Sequence, residues 1–211
     1  MDVDGLKINI HPNVYSPFYF PESAWYSRQL LQLVKPGDRF LEVGIGSGIT
    51  TVYMSRAGAK TTGVDINPDA VETTKLNLSQ NNLSGLVLES DVFNALPEGS
   101  KFEWIYWNHP WQNNPNVIKE LQTEKTLDPG YQLLSRYIKE SERYLSETGR
   151  IVIGTSNCSN LQEVNSLAQN LGYSTKRLLR GSEELADNVM EKYYIMEFIK
   201  NKKEESGNMS V

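Results

Sequence analysis

Gly44, Gly46 and Gly48 fall at alternate positions directly after the apolar run Phe40-Leu41-Glu42-Val43. Glycines placed there let a tight turn bring backbone N–H groups close to a ligand without side-chain obstruction. The spacing is G-x-G-x-G. A dinucleotide fingerprint would need glycine at position 49, which is Ile49, and no Gly-Lys-Ser/Thr follows for a phosphate-binding Walker loop. A second apolar run ends in Val64-Asp65-Ile66 and a third in Glu89-Ser90-Asp91-Val92. A carboxylate at the tip of the second strand can accept both hydrogen bonds of a ribose diol. An exposed aspartate at the end of the third can accept one from an adenine amino group. Three such features in order on successive strands predict a nucleoside ligand.

These residues need a scaffold that places strand ends side by side. From FLEVG onward, apolar strand-like runs alternate with amphipathic segments. FLEVG precedes TTVYMSRAG, KTTGVDI precedes a helix from Pro68 through Leu78, and GLVLES and FEWIYW precede a long helix in YQLLSRYIKESERYL. RIVIGTS and a helix around LQEVNSLAQNLG come next. Strands separated by helices of that length require crossover connections, hence a mainly parallel sheet covered on both faces. The last two runs, STKRLLRG and KYYIMEFIK, have no long helix between them and predict an antiparallel pair at one end of the sheet. Before the glycine turn, PESAWYSRQLLQLV reads as a helix that starts at Pro21-Glu22-Ser23 and is ended by Lys35-Pro36-Gly37. The expected organisation is an N-terminal segment and covering helix (1–35), one domain (36–200), and a polar, disordered tail (201–211).

Composition narrows the classes. With 211 residues, 39% of them hydrophobic, the chain holds one sizeable core. No window approaches eighteen uninterrupted apolar residues, and the opening MDVDGLKINIHP lacks the basic flank and apolar centre of a signal peptide, so the expected setting is cytoplasmic with no membrane contact. A single cysteine, Cys158, offers no disulfide framework and no paired zinc-ligand spacing. The net charge of −5 argues against broad affinity for phosphate backbones. Lys176, Arg177 and Arg180 read as a solvated strand face, with a local basic patch as the alternative.

The order E-V-G-x-G-x-G, V-D-I-N, S-D-V-F and N-H-P-W, spanning about Pro36 to Thr155, resembles the class I S-adenosylmethionine-dependent methyltransferases. The resemblance implies a Rossmann-like, doubly wound α/β fold with a mainly parallel seven-stranded sheet and an antiparallel edge hairpin. It implies S-adenosyl-L-methionine as cofactor. The glycine turn, with Glu42, Gly44, Gly46 and Gly48, would wrap the methionine portion, Asp65 with Ile66 would hold the ribose, and Asp91 with Val92 would meet the adenine.

Asn108-His109-Pro110-Trp111 is similar to the Asn-Pro-Pro-aromatic motif of the members that methylate planar nitrogens, as in release-factor glutamine methyltransferases. Such a nitrogen has its lone pair delocalised, so the enzyme must hold its N–H groups with acceptors and aim it at the methyl donor. The Asn108 oxygen and a backbone carbonyl beside Pro110 would supply the acceptors, and Trp111 a flat apolar face. Asn108 thus borders both cofactor and acceptor. No metal is needed, because the leaving group is a neutral thioether. The departure is His109, where that family most often has proline; it is either a proton acceptor or a residue that orients the loop. The long segment 112–130 is read as a lid over the site.

The resemblance therefore implies methyl transfer to an amide or amino nitrogen of a protein, such as glutamine, or of a small molecule. The acidic composition makes a nucleobase amino group of RNA or DNA the less favoured acceptor. A non-catalytic cofactor-binding partner subunit is the reading from a different class; an Asn108 kept with Pro110 and Trp111 speaks against it.

Overall fold

The computed structural model describes residues 1–114, 126–186 and 189–202. The greater part of the segment read as a lid, and residues 203–211 of the tail, lie outside the described residues.

Among the described residues, nine strands and five helices follow the expected alternation. A short hairpin, β1 (Asp2–Val3) and β2 (Leu6–Lys7), comes first and was not foreseen. Its turn residues Asp4 and Gly5 both have positive φ (53° and 76°), the conformation that a two-residue hairpin turn demands. Helix α1 (Glu22–Leu30) leads into β3 (Arg39–Val43), α2 (Ile49–Arg56), β4 (Lys60–Asp65), α3 (Pro68–Gln80), β5 (Leu86–Glu89) and β6 (Phe102–Asn108). After the undescribed stretch come α4 (Gln132–Ser141), β7 (Leu145–Ser156), α5 (Leu161–Asn170), β8 (Tyr173–Ala186) and β9 (Val189–Lys200).

Seven strands form one sheet in the order β5-β4-β3-β6-β7-β9-β8. The first five are parallel, while β9 is antiparallel to both β7 and β8. The doubly wound parallel sheet with a terminal antiparallel pair is thus observed.

Side-chain alternation builds two cores. Phe40, Trp104, Tyr106, Val152 and Ile195 point to one face, against α1, α2 and α3. Leu41, Val43, Ile105, Trp107, Ile153 and Met196 point to the other, against Leu134, Tyr137 and Ile138 of α4 and Val164 and Ala168 of α5. A strand buried on both faces has no polar side to show, which is why these segments read as nearly continuous apolar runs. Val3, Leu6, Ile8 and Val14 join the first cluster, so the N-terminal segment shares a core with the sheet.

Two helices are shorter than their patterns predict. The pattern carries α1 to Val34, but regular helix stops at Leu30 and a turn covers the rest. The expected long helix at 131–145 ends at Ser141, whose hydroxyl donates back to the Tyr137 carbonyl at 2.7 Å, and a 3-10 turn (Glu142–Tyr144) follows. That turn lets Tyr144 stack on Phe93, 5.2 Å between centroids.

Candidate active site

All three glycines of the turn adopt left-handed conformations, with φ of 64°, 52° and 72° at Gly44, Gly46 and Gly48. That region is costly for residues with a Cβ. Space imposes a second demand, since a Cβ on Gly44 would lie 2.7 Å from Trp107 Nε1, and one on Gly48 would strike the Thr74 side chain. The turn thus packs against the fourth parallel strand on one side and α3 on the other.

Asp65 ends β4 and is held by backbone. Its Oδ2 accepts the Gly46 N–H at 3.0 Å and its Oδ1 the Asn67 N–H at 2.9 Å. Asn67 in turn caps α3, accepting the Asp69 N–H, with Pro68 at the first helical position. Glu42, buried within β3, accepts both the backbone N–H and the hydroxyl of Thr51 from α2, at 2.8 and 2.6 Å. Burial pushes its carboxyl up to about 7, although the Thr51 bonds pull the other way.

The turn, Asp65 and the end of β6 enclose a cavity of about 800 Å³ at the carboxyl edge of the sheet. Glu42, Gly44, Gly46, Asp65, Ile66, Asn108, His109, Pro110 and Trp111 all line it. Asn108 is the last residue of β6, and its Oδ1 is buried with no hydrogen-bond partner among the described residues. A buried acceptor without a donor is costly, so such an atom in a ligand cavity marks where a ligand N–H belongs.

His109 is buried, and its Nε2 lies 3.1 Å from Thr155 Oγ1 at the end of β7, which itself contacts Ser159 Oγ at 2.8 Å. Desolvation holds the imidazole down at about 3, so the ring is neutral near pH 7. Trp111 is fastened from behind: the Tyr131 hydroxyl donates to its carbonyl at 2.8 Å and accepts the Asn160 N–H at 3.0 Å. Gln112 and Asn113 are likewise tied by backbone bonds to Thr126, Asp128 and Gly130, so the chain leaves and returns at adjacent points beside the cavity.

Three expected cofactor residues do not line the cavity. Gly48 supports the turn from beneath. The Asp91 carboxylate is exposed and paired with Arg136 of α4 at 2.7 Å. Val92 is buried in the second core cluster, in a left-handed conformation (φ 52°) that is strained for a β-branched residue.

Other lining residues were not among those singled out for the site in the sequence. Tyr15 and Glu22 precede the glycine turn, Tyr106 sits two residues before Asn108, and Cys158 and Glu191 come from the far end of the chain. Glu22 reads only as a helix start and Glu191 lies just outside the last strand-like run, so neither spacing nor composition could have joined them. Tyr106 alone had a signal, because residues i and i+2 of a strand share a face.

The model of the methyltransferase small domain family matches residues 5–183. The chain belongs to that family. It is an S-adenosylmethionine-dependent methyltransferase. Its relatives include a provisionally named protein N5-glutamine methyltransferase of Methanocaldococcus jannaschii, 31% identical over 181 residues, covering 83% of this chain and 89% of that one. The chain spans under half the length of the ribosomal RNA and ribosomal-protein methyltransferases it also matches.

The fold of the methyltransferase is similar to solved ones. A Pyrococcus furiosus methyltransferase aligns with a TM-score of 0.66 at 16% identity over 94% of this chain and 91% of that one. A T. thermophilus 16S rRNA N2 methyltransferase, in complex with AdoMet and guanosine, aligns with 0.62 at 17% identity over 95% of this chain and 49% of that one. The residues present fit S-adenosylmethionine: a close-approach glycine turn, two fixed carboxylates and a buried unpaired acceptor converge on one cavity. Among the described residues no helix is long and apolar enough to cross a membrane, and no group of His, Cys, Asp or Glu could hold a metal.

Proposed function

We propose that this methyltransferase transfers a methyl group to a planar amide or amino nitrogen, and that its acceptor is a protein amide such as glutamine. The observation that carries the reading is the buried, unpartnered Asn108 Oδ1 at the end of β6, within the cavity that holds Gly44, Gly46 and Asp65. When bound, S-adenosylmethionine supplies an electrophilic methyl on a cationic sulfur.

Asn108 Oδ1 accepts one N–H of the acceptor and the backbone carbonyl before Pro110 accepts the other. This fixes the plane of the amide and directs its nitrogen at the methyl. Pro110 restrains the backbone that carries the carbonyl, and Trp111 packs against the planar group. Gly44, Gly46 and Asp65 would hold the cofactor that supplies the methyl, and the proton of the methylated nitrogen would pass to solvent. His109 acts as a positioning residue, because an imidazole so far below neutrality is a poor proton acceptor, and Thr155 anchors it. Asp65 holds the ribose. Asp91 and Val92 stay assigned to the adenine side, with Asp91 exchanging Arg136 for the base.

A nucleobase amino group is the second reading, supported by the likeness to the 16S rRNA enzyme. The cavity lining weighs against it. Four carboxylates, Glu22, Glu42, Asp65 and Glu191, line it with no Lys or Arg among the described residues, and a phosphate backbone seeks cations.

The test is a parallel assay of glutamine peptides and RNA with labelled S-adenosylmethionine. Methyl transfer to a glutamine peptide is expected, falling by at least ~10²-fold in Asn108→Ala with S-adenosylhomocysteine affinity within about threefold of wild type. Transfer to RNA alone, or full activity of the variant, would overturn the reading.

A further inference from the structure

Glu22, at the start of α1, and Glu191, on β9, are both largely buried and line the same cavity as Asn108. The Tyr15 hydroxyl donates to Glu22 at 2.6 Å and the Tyr193 hydroxyl to Glu191 at 3.0 Å, and the Cys158 side chain also hydrogen-bonds Glu191. No Lys or Arg joins them among the described lining residues, and Glu183 stands opposite Glu191 in the β8–β9 register, adding charge of the same sign. Like charges gathered away from water repel, and burial with the neighbouring Glu191 and Glu183 pushes the Glu22 carboxyl up to about 7.

An independent feature lies beside them. Tyr106 is fully buried, lines the cavity, and its hydroxyl has no hydrogen-bond partner among the described residues. It shares that cavity with Glu22, Glu42 and Glu191. A hydroxyl lodged there without a partner is a place for a ligand donor.

We propose that Glu22, Glu191 and the Tyr106 hydroxyl form a subsite for a positively charged side chain, the ammonium or guanidinium of a basic residue near the methylated amide in a protein acceptor. The inference rests on the protein-acceptor reading and names a specificity determinant within it. A cation with several N–H donors satisfies both carboxylates and the tyrosine oxygen together, and relieves the repulsion between the acids. It also sets the acceptor's register, because the amide must then reach Asn108 from a fixed anchor.

Cys158 lines the cavity, and as the only cysteine of the chain it reports occupancy. The experiment follows its alkylation by neutral iodoacetamide in the full chain with added S-adenosylhomocysteine. The probes are acetyl-Gly-Gln-Lys amide and its norleucine counterpart, and methyl transfer to both is followed in parallel with S-adenosylmethionine. The lysine peptide is expected to protect Cys158 at about tenfold lower concentration than the norleucine peptide, with the difference collapsing in Glu22→Gln/Glu191→Gln. Equal protection by the two peptides, or none by either, overturns the subsite. Preferential protection without methyl transfer leaves the subsite standing and removes the amide reading; equal methylation with equal protection does the reverse. Should the double variant fail to fold, the wild-type comparison of the two peptides still decides.

Discussion

At the scale of single residues, the site works by fixing acceptors before a ligand arrives. Asp65 is the clearest case, its two oxygens set by the N–H groups of Gly46 and Asn67. Asp65→Ala is expected to weaken S-adenosylhomocysteine binding by roughly 1–3 kcal/mol in calorimetry, since ribose hydroxyls would be left unpaired. Unchanged affinity would remove the assignment. His109 makes the opposite kind of prediction. Its ring is neutral near pH 7, so the kcat profile should show no limb near the usual imidazole value, and His109→Pro should retain turnover within about tenfold. A loss of a thousandfold or more, with a limb abolished by the substitution, would restore it as the base. The sequence left these two roles for His109 open because the type and position of a histidine say nothing of its solvation, and burial beside Thr155 supports the positioning role proposed for it.

At the scale of elements, the helix boundaries place the motif loops. Asp128, buried in the Asp128-Pro129-Gly130-Tyr131 turn, accepts the N–H groups of Leu133 and Leu134 at 3.0 and 2.9 Å and so satisfies the first turn of α4. Burial raises its carboxyl above the ordinary aspartate range, while those backbone bonds act in the other direction. Asp128→Ala is expected to lower stability by about 1–2 kcal/mol in denaturant unfolding. It should also slow turnover, because Tyr131, three residues on, holds the Trp111 carbonyl. Stability within about 0.3 kcal/mol of wild type would show that the cap is not needed. Strand identities were legible because a parallel strand buried on both faces needs unbroken apolar character. The ends of α1 and α4 were not, since apolar spacing continues through a turn that remains packed.

At the scale of the whole molecule, the sheet brings acids from opposite ends of the chain into one cavity. The fold binds the Glu22 proton more tightly than the unfolded chain does, its value rising from 4.5 to about 7. Stability is therefore lost as pH climbs from the unfolded value through about 7, and the full penalty is present above it. Glu22→Gln keeps an acceptor for Tyr15 and abolishes the charge. Urea unfolding should find the variant more stable than wild type at pH 8, by on the order of 1–3 kcal/mol, with the gain shrinking towards zero near pH 5. A pH-independent difference would mean that Glu22 does not carry this charge.

The sequence by itself determined the alternation of strands and crossover helices, the turn that only glycine accommodates, and the carboxylates at strand ends, because these depend on period, backbone freedom and local order along the chain. It also placed Asn108-His109-Pro110-Trp111 after the fourth parallel strand. Tertiary structure alone decided that Asp91 faces Arg136, that the His109 ring is neutral and anchored, and that Tyr106, Glu22 and Glu191 share a wall. Pairing, burial and the repulsion of like charges are properties of distance in space, and residues separated by up to 169 positions in the chain acquire that distance only when the sheet closes β9 against β7.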